Sequence, residues 1–314
     1  MNDDRNKFCR ALEEKNTAGL LAAPKSDIHN HSVKGCRKAW LEDRLKCKFP
    51  DSPDRFDGLE GMQEWFTHSI KPYCSGAEGI VLRWEGAFAE AKRNNILRLA
   101  MCFGPDEIEL VGGMDSFSEI VTGFHQKYCP DTRFEPEISY ISSCDIDAET
   151  DRIEQYISTG FFRSIDVCGG ENIRPFYDYI PLYKKAEKYN LIKKIHVGES
   201  GSAEDVRCAV EVLGLDEIHH GINAAGSKEV MRFLAENSIQ LNVCPSSNVM
   251  LGYADSYKDH PIKLLYENGV KVTINTDDLL IFDSSAENEY FLLYEAGTLN
   301  AKQLDEIRIN GLKG

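Results

Sequence analysis

Two histidines separated by one residue, His29 and His31, are the feature of this sequence with the clearest chemical meaning. On a strand, residues i and i+2 project to the same face, whereas on a helix they diverge by about 200°. Two imidazoles that converge at the end of a strand are typical of ligands to a single metal ion. The pair therefore predicts a metal site, and the remaining ligands should lie elsewhere in the chain.

Further polar residues follow the ends of later apolar runs. His196 and Glu199 close one run, His219 and His220 close the next, and Asp277 closes the last. In a parallel barrel the reactive groups come from the C-terminal ends of several strands. Imidazoles with a carboxylate suit Zn²⁺ or a similar cation, while six oxygen ligands would suit Mg²⁺. We expect one metal ion, bound by His29, His31, His196 and Asp277.

Three neighbours of these ligands are candidates for proton transfer and substrate binding. A metal with an open position lowers the pKa of its bound water toward neutrality, and His220 would orient or deprotonate that water. Glu199 lies in a glycine-containing turn and would shuttle a proton, provided that burial raises its pKa. An acidic residue before a helix is the alternative role for Glu199. Asp278 would accept a hydrogen bond from a substrate.

The chain alternates extended runs with helical ones, which predicts an α/β fold in which residues 1–314 form a single (β/α)8 TIM barrel. Open doubly wound sheets are the alternative, but they usually carry a phosphate loop after the first strand, and none is present. Residues 32–75 lack a repeated strand pattern and are predicted to form a lid-like insertion after strand 1. After the histidine strand, the predicted strands are 97–103, 133–141, 162–167, 192–197, 217–221, 239–243 and 270–274. The predicted helices are an N-terminal one ending near 21, and 77–95, 116–128, 149–158, 175–189, 203–213, 227–236 and 261–268.

The composition indicates which kinds of binding partner and which cellular compartment to expect. The net charge of −15 argues against nucleic acid or an anionic membrane surface as a partner. Ten cysteines occur without a Cys-x-x-Cys pair, which indicates free thiols in a reducing compartment. The N-terminal residues are charged and lack the apolar core of a signal peptide. We therefore expect a cytoplasmic protein that binds a small molecule.

The motifs at the strand ends resemble those of the adenosine/adenine deaminase family of the amidohydrolase superfamily. They occur in the family's order and extend over roughly residues 25–310. The matching pieces are His29-Asn-His31, Asp166-Val-Cys-Gly169, His196-Val-Gly-Glu199, His220-Gly221, Cys244-Pro-Ser-Ser and Asn275-Thr-Asp-Asp278.

The resemblance implies one zinc ion per chain, held by the four residues given above, and hydrolytic deamination of a 6-aminopurine to a 6-oxopurine and ammonia. Metal-bound hydroxide would attack C6 with help from His220, while Glu199 protonates N1 and Asp277 acts as a catalytic ligand. Asp278 would accept from N7, the Gly169 amide would donate to N3, and His31 would also contact the substrate.

Residues 32–35 depart from the family's pattern. The loop is one residue longer, and the acid that reads a ribose hydroxyl is replaced by Ser32-Val-Lys34-Gly35. One hypothesis is that Lys34 and the basic residues after it bind a phosphate or another anionic group, and a solvated basic loop is the alternative. Adenosine or a close derivative is the expected substrate. The alternatives are adenine, AMP or an N6-modified adenosine, another amidohydrolase reaction, and a non-catalytic purine-binding homologue.

Overall fold

Parallel strands alternate with helices in the computed structural model, which describes residues 2–171 and 173–313. The strands of this part of the chain are β1 (Lys25–Asp27), β2 (Ile96–Phe103), β3 (Arg133–Ile141), β4 (Ser164–Cys168), β5 (Ile192–Lys193), β6 (His196–Val197), β7 (Glu217–His220), β8 (Gln240–Val243) and β9 (Lys271–Ile274).

The helices alternate with these strands. The α-helices are α1 (Asn2–Glu13), α2 (Thr17–Ala22), α3 (Lys38–Leu45), α4 (Gly58–Ser69), α5 (Gly76–Arg93), α6 (Pro105–Leu110), α7 (Met114–Tyr128), α8 (Ile146–Arg152), α9 (Glu154–Ile157), α10 (Ile180–Lys188), α11 (Ala203–Leu213), α12 (Lys228–Glu236), α13 (Pro245–Met250), α14 (Ile262–Glu267), α15 (Leu279–Phe282), α16 (Ala286–Glu295) and α17 (Ala301–Lys313). Short 3₁₀ helices lie at Lys71–Tyr73, Phe176–Tyr179 and Ile222–Gly226.

The strands close into a barrel of eight, because β5 and β6 are two halves of one barrel strand. All strand pairs are parallel, in the orders β1 to β5 and β6 to β9. Hydrogen bonds continue through the interruption: Lys194 N–H donates to the Ile165 carbonyl, and the Ile195 carbonyl accepts from His219 N–H, both at 2.9 Å. The predicted (β/α)8 barrel is thus confirmed.

The seam between the first and last strands lies at the histidine pair. Asp277 N–H donates to the His29 carbonyl at 2.9 Å, and His31 N–H donates to the Asp277 carbonyl at 3.4 Å. Below them, the Asn275 side-chain oxygen accepts from Ile28 N–H at 2.8 Å. The contacts that close the barrel therefore also bring residues after the first strand close to residues after the last strand.

Most predicted boundaries agree with the structure, and two helices differ. The prediction of one N-terminal helix is wrong, because the Asn16 side chain accepts from Gly19 N–H and starts a separate helix, α2. The segment predicted as one helix over 149–158 is two short helices, α8 and α9, that meet at Ile153. Neither difference changes the barrel. Within the described residues, no helix has the length and apolar character needed to cross a membrane.

Residues 32–75 contain two helices, α3 and α4, and have their own apolar core. Buried side chains of this segment, including Leu41, Met62 and Phe66, pack with Leu280 and Ile281 of α15. The segment follows β1 and α15 follows β9, so the insertion lies at the C-terminal end of the barrel strands. A lid role for it stays a prediction.

The seam offers a test of barrel stability. Asn275→Ala leaves the buried Ile28 N–H without its acceptor, and we expect the free energy of unfolding to fall by about 1–3 kcal/mol. Urea unfolding followed by circular dichroism measures it. The control, Asn237→Ala, removes an exposed amide at the end of α12 and should cost less than about 0.5 kcal/mol. Equal stability of the two variants would contradict the assigned role of Asn275.

Candidate active site

The four residues predicted as metal ligands meet at the C-terminal ends of the barrel strands. His29 and His31 follow β1, His196 lies in β6, and Asp277 follows β9. Asp277 Oδ1 lies 3.2 Å from His31 Nε2 and 3.7 Å from His29 Nε2. His29 Nε2 and His196 Nε2 are 3.0 Å apart. These side chains therefore lie at one end of the barrel, with His29 and His196 in one cluster of possible ligands and His31 and Asp277 in another.

The hydrogen bonds around two of the imidazoles fit a bound cation. His29 Nδ1 lies 3.0 Å from the Asn242 carbonyl oxygen, and His196 Nδ1 lies 3.0 Å from Asp166 Oδ1. Both oxygens are acceptors, so each imidazole carries its proton on Nδ1 and presents a lone pair on Nε2. In these tautomers the two Nε2 lone pairs face each other across 3.0 Å, an arrangement that a cation bound between them makes favourable. The donor set, nitrogen with one carboxylate, suits zinc or a similar divalent ion.

Two residues of this site have a strained backbone conformation. His220 and Asp277 have φ values of +64° and +58°, in the left-handed region that side chains other than glycine rarely adopt. Each such residue costs about 1–3 kcal/mol unless its surroundings hold it there. The backbone groups of Asp277 are held by the seam hydrogen bonds to His29 and His31.

Glu199 is nearly buried beside the proposed ligands, with 13% of its side chain exposed. Asn248 Nδ2 donates to Glu199 Oε1 at 3.1 Å and to His220 Nδ1 at 3.2 Å, and His220 Nδ1 lies 3.5 Å from Glu199 Oε1. Burial, with the charges of Asp277 and Glu171, raises the pKa of Glu199 well above its usual value. Burial also lowers the pKa of His220 to about 3. Both shifts favour the neutral form, of the carboxyl and of the imidazole.

His219 is turned away from the proposed metal site. Its Nε2 lies 3.0 Å from Glu137 Oε1, inside the barrel. Glu137 also pairs with Lys194 at 2.9 Å, so His219 belongs to a buried ionic network. His219 is therefore held in the barrel interior and is not one of the proposed ligands.

Lys34 and Asp278 form a nearly buried ion pair at the same end of the barrel. Lys34 Nζ lies 2.8 Å from Asp278 Oδ2, and the side chains are 13% and 4% exposed. Burial lowers the pKa of Lys34, but the charge and hydrogen bond of Asp278 and the charge of Asp277 together outweigh it, and the net shift is upward. Asp278 Oδ1 is buried and has no hydrogen-bond partner among the described residues. One acceptor is therefore available to a bound molecule. Gly169 directly follows β4, at the same end.

The other basic residues after Lys34 do not form an open cationic surface. Most pair with acids: Arg37 with Glu90, Lys38 with Asp51, Lys46 with Asp43 and Lys48 with Glu42. The guanidinium of Arg44 lies over the Trp40 ring, 4.7 Å from its centroid. Of this stretch, Lys34 is the residue that pairs with a predicted substrate contact.

Three residues of the site had no assigned role in the sequence analysis. Asp166 was recognised only as part of a motif, and it orients His196. Asn248 connects Glu199 with His220, and Glu171 binds the backbone of the Glu199 loop. Each lies just beyond or near a strand end, but polar residues are common there, and only proximity in the fold reveals their partners.

Comparison with known proteins agrees with this geometry. Residues 142–314 match the family described as adenosine deaminase. A protein of Treponema pallidum named as an adenosine/adenine deaminase is 32% identical over 88% of this chain and 93% of its own length. The chain belongs to the adenosine deaminase family. It is accordingly a hydrolase that acts on C–N bonds, a deaminase.

Solved structures with lower sequence identity to this chain share its fold. Adenine deaminase from Arthrobacter aurescens superposes with a TM-score of 0.79 at 18% identity, covering 92% of this chain and 93% of its own. An amidohydrolase from Burkholderia ambifaria with bound Zn gives 0.76 at 16% identity, covering 94% and 86%. These similarities show the TIM-barrel amidohydrolase fold.

The orientation of His196 can be tested through metal affinity. Asp166→Asn weakens the acceptor that holds the proton on Nδ1, so we expect the affinity for Zn²⁺ to fall roughly 10- to 100-fold. Competition with a chromophoric chelator measures this affinity without an activity assay. Asp151→Asn, a change at an exposed position of α8, is the control and should bind Zn²⁺ as the wild type does. Unchanged affinity in Asp166→Asn would refute the assigned role.

Proposed function

We propose that this deaminase hydrolyses the 6-amino group of a purine, with adenosine or a close derivative as substrate, and releases ammonia and the 6-oxopurine. The observation that carries this proposal is the nearly buried Glu199 carboxyl, which lies beside two imidazole lone pairs that face each other across 3.0 Å. A proton donor next to a site for a divalent cation is what hydrolytic replacement of an aromatic amine requires.

We assign metal binding to His29, His31, His196 and Asp277, with Zn²⁺ as the preferred ion. A divalent ion held there supplies Lewis acidity and lowers the pKa of a bound water toward neutrality. The clusters of imidazoles and carboxylates that contain these residues, with His29 and His196 in one and His31 and Asp277 in another, and the bound Zn of one structural neighbour support zinc.

Glu199 and His220 carry the proton transfers in this proposal. Protonated Glu199 donates to N1 of the ring, which draws electrons away from C6 and prepares that carbon for attack by water. Neutral His220, whose Nε2 lies 3.8 Å from Asp277 Oδ2, orients this water. The oxygen of water adds to C6, one of its protons goes to the amine, which leaves as ammonia, and the other restores the Glu199 carboxyl. C6 is left with a carbonyl, and N1 keeps the proton that Glu199 donated.

Lys34 and Asp278 are assigned to the N7 side of the ring. C6 lies between N1 and C5, which carries N7, so a ring with N1 at Glu199 directs its N7 edge away from Glu199. That edge presents the N7 acceptor and an N6–H donor, so the expectation that Asp278 accepts from N7 is corrected, because N7 carries no hydrogen. The Lys34 ammonium is assigned as the donor to N7, and the free Asp278 Oδ1 as the acceptor from N6–H. Gly169 is assigned to N3, and His31 contacts the substrate as well as the metal.

Segment 32–75 contributes to the same site. The Phe66 ring of α4 lies 5.6 Å from Lys34 Nζ, so this insertion forms part of the wall around the ion pair. We propose that it acts as the lid. Adenine is the second candidate substrate, because Lys34 occupies the loop where the family's ribose-reading acid is absent.

Ammonia release tests the reaction. Zinc-loaded protein is assayed with adenine, adenosine, deoxyadenosine, AMP and an N6-substituted adenosine. We expect one of these to turn over, and Glu199→Gln to lower kcat about 10²- to 10⁴-fold because it cannot donate the N1 proton. Glu204→Gln, at an exposed position in the first turn of α11, is the matched control. If none of these purines releases ammonia from the zinc-loaded protein, the proposed function is refuted.

The role of Lys34 can be tested by comparing substrates. Because its ammonium pairs with Asp278 inside the site, we expect Lys34→Ala to raise KM roughly 10- to 100-fold for a nucleoside and its nucleotide alike. Lys71→Ala, an exposed position in the same insertion, is the control. An increase confined to the nucleotide would contradict ring recognition and support phosphate binding by Lys34.

A further inference from the structure

The Glu171 carboxylate binds four consecutive backbone amides of the loop that contains Glu199. Its Oε2 accepts from the N–H groups of Gly198 at 2.8 Å and Gly201 at 3.1 Å. Its Oε1 accepts from the N–H groups of Glu199 at 2.8 Å and Ser200 at 2.6 Å. Successive amides that surround one anionic group form a nest, in which every donor is directed at the same charge.

Asn223 holds the opposite side of this loop. Its Nδ2 donates to the carbonyls of Glu199 at 3.0 Å and Gly201 at 2.7 Å, and its own N–H donates to the Gly198 carbonyl at 2.8 Å. The loop's amides are thus bound by Glu171, and its carbonyls are bound by Asn223. Movement of the Glu199 backbone would break several of these bonds, including charge-assisted ones.

Glu171 also connects two loops assigned to the substrate. It lies two residues after Gly169 at the end of β4, and it binds the loop that follows β6. The β4 loop is itself anchored, because Ser142 Oγ donates to the Gly170 carbonyl at 2.8 Å. The anchor beneath Glu199 is therefore continuous with β3 and β4.

We propose that Glu171 is a positioning residue for the deamination: it holds the Glu199 loop so that the carboxyl reaches ring N1. This inference rests on the proposed function, because it takes Glu199 as the proton donor. Displacement of a reacting group by about 1 Å can cost on the order of 100-fold in rate. A side chain that binds four amides of the donor loop therefore controls kcat more than substrate affinity.

The charge of Glu171 has a second effect on Glu199. Burial is the main cause of the raised Glu199 pKa, followed by the charges of Asp277 and Glu171. Asp278 adds to the increase, and His220 and Tyr253 are the other titratable groups that interact with Glu199. Removing the Glu171 charge lowers the pKa of Glu199, so the protonated donor is lost at a lower pH. A residue with only a structural role would not move the basic limb of the kcat profile.

Two substitutions separate the effect of the length of the Glu171 side chain from the effect of its charge. Glu171→Gln keeps the length and removes the charge, and Glu171→Asp keeps the charge and shortens the side chain. We expect both to lower kcat roughly 10- to 100-fold with a smaller change in KM. Only Glu171→Gln should also shift the basic limb of kcat to lower pH. In both variants, amides 198–201 should exchange with deuterium faster than in the wild type.

Controls keep these outcomes distinct. Glu204→Gln removes an exposed charge from the first turn of the following helix and should leave kcat, its pH profile and amide exchange unchanged. A folded Glu171→Gln variant with the kcat or the basic limb of the wild type overturns the proposal. If this variant does not fold, a wild-type kcat in Glu171→Asp overturns it. A wild type that releases no ammonia refutes the proposed function instead, and wild-type amide exchange in the variants then overturns the anchoring role.

Discussion

Two imidazole nitrogens that face each other across 3.0 Å impose the main constraint on this structure. His29 and His196 are each fixed through Nδ1, by the Asn242 carbonyl and by Asp166, so neither ring can turn its lone pair away. A cation bound between the two nitrogens makes this arrangement favourable. The barrel seam supplies the carboxylate, since the hydrogen bonds that join residues 29–31 to Asp277 also place its side chain beside the imidazoles.

The interior beneath these imidazoles is ionic. Glu137 accepts from His219 and pairs with Lys194, and Arg98 pairs with Glu135 and lies near Glu217. Buried charges are expensive to desolvate, and such a network is tolerated when its members satisfy one another. The charges of Glu137 and Glu217 outweigh the effect of burial and raise the pKa of Lys194. The side chains beneath the proposed metal ligands are thus charged and paired with one another, and they have little freedom to repack.

Glu199, the proposed proton donor, is held by loops from several strands. Glu171 and Asn223 bind the loop backbone from two sides, while Asn248 binds the Glu199 carboxyl itself. Glu171 and Asn223 therefore fix the position of the Glu199 backbone, and Asn248 fixes the direction of its carboxyl. On the opposite side, Lys34 neutralises Asp278 and leaves one carboxylate oxygen free. The polar groups of the pocket therefore suit a flat heterocycle with donors and acceptors along its edges.

The sequence by itself determined the barrel and indicated the proposed metal ligands, because the strands and the histidine pair follow from local periodicity. His29 and His31 share a face through the two-residue repeat of an extended chain, and alternating apolar runs predicted the eight strands with errors of a few residues. Only the tertiary structure decided the supporting contacts. Glu171 lies 28 residues from Glu199, and Lys34 lies 244 residues from Asp278. No local pattern encodes such pairings, since the closing of the barrel alone brings these side chains within hydrogen-bonding distance.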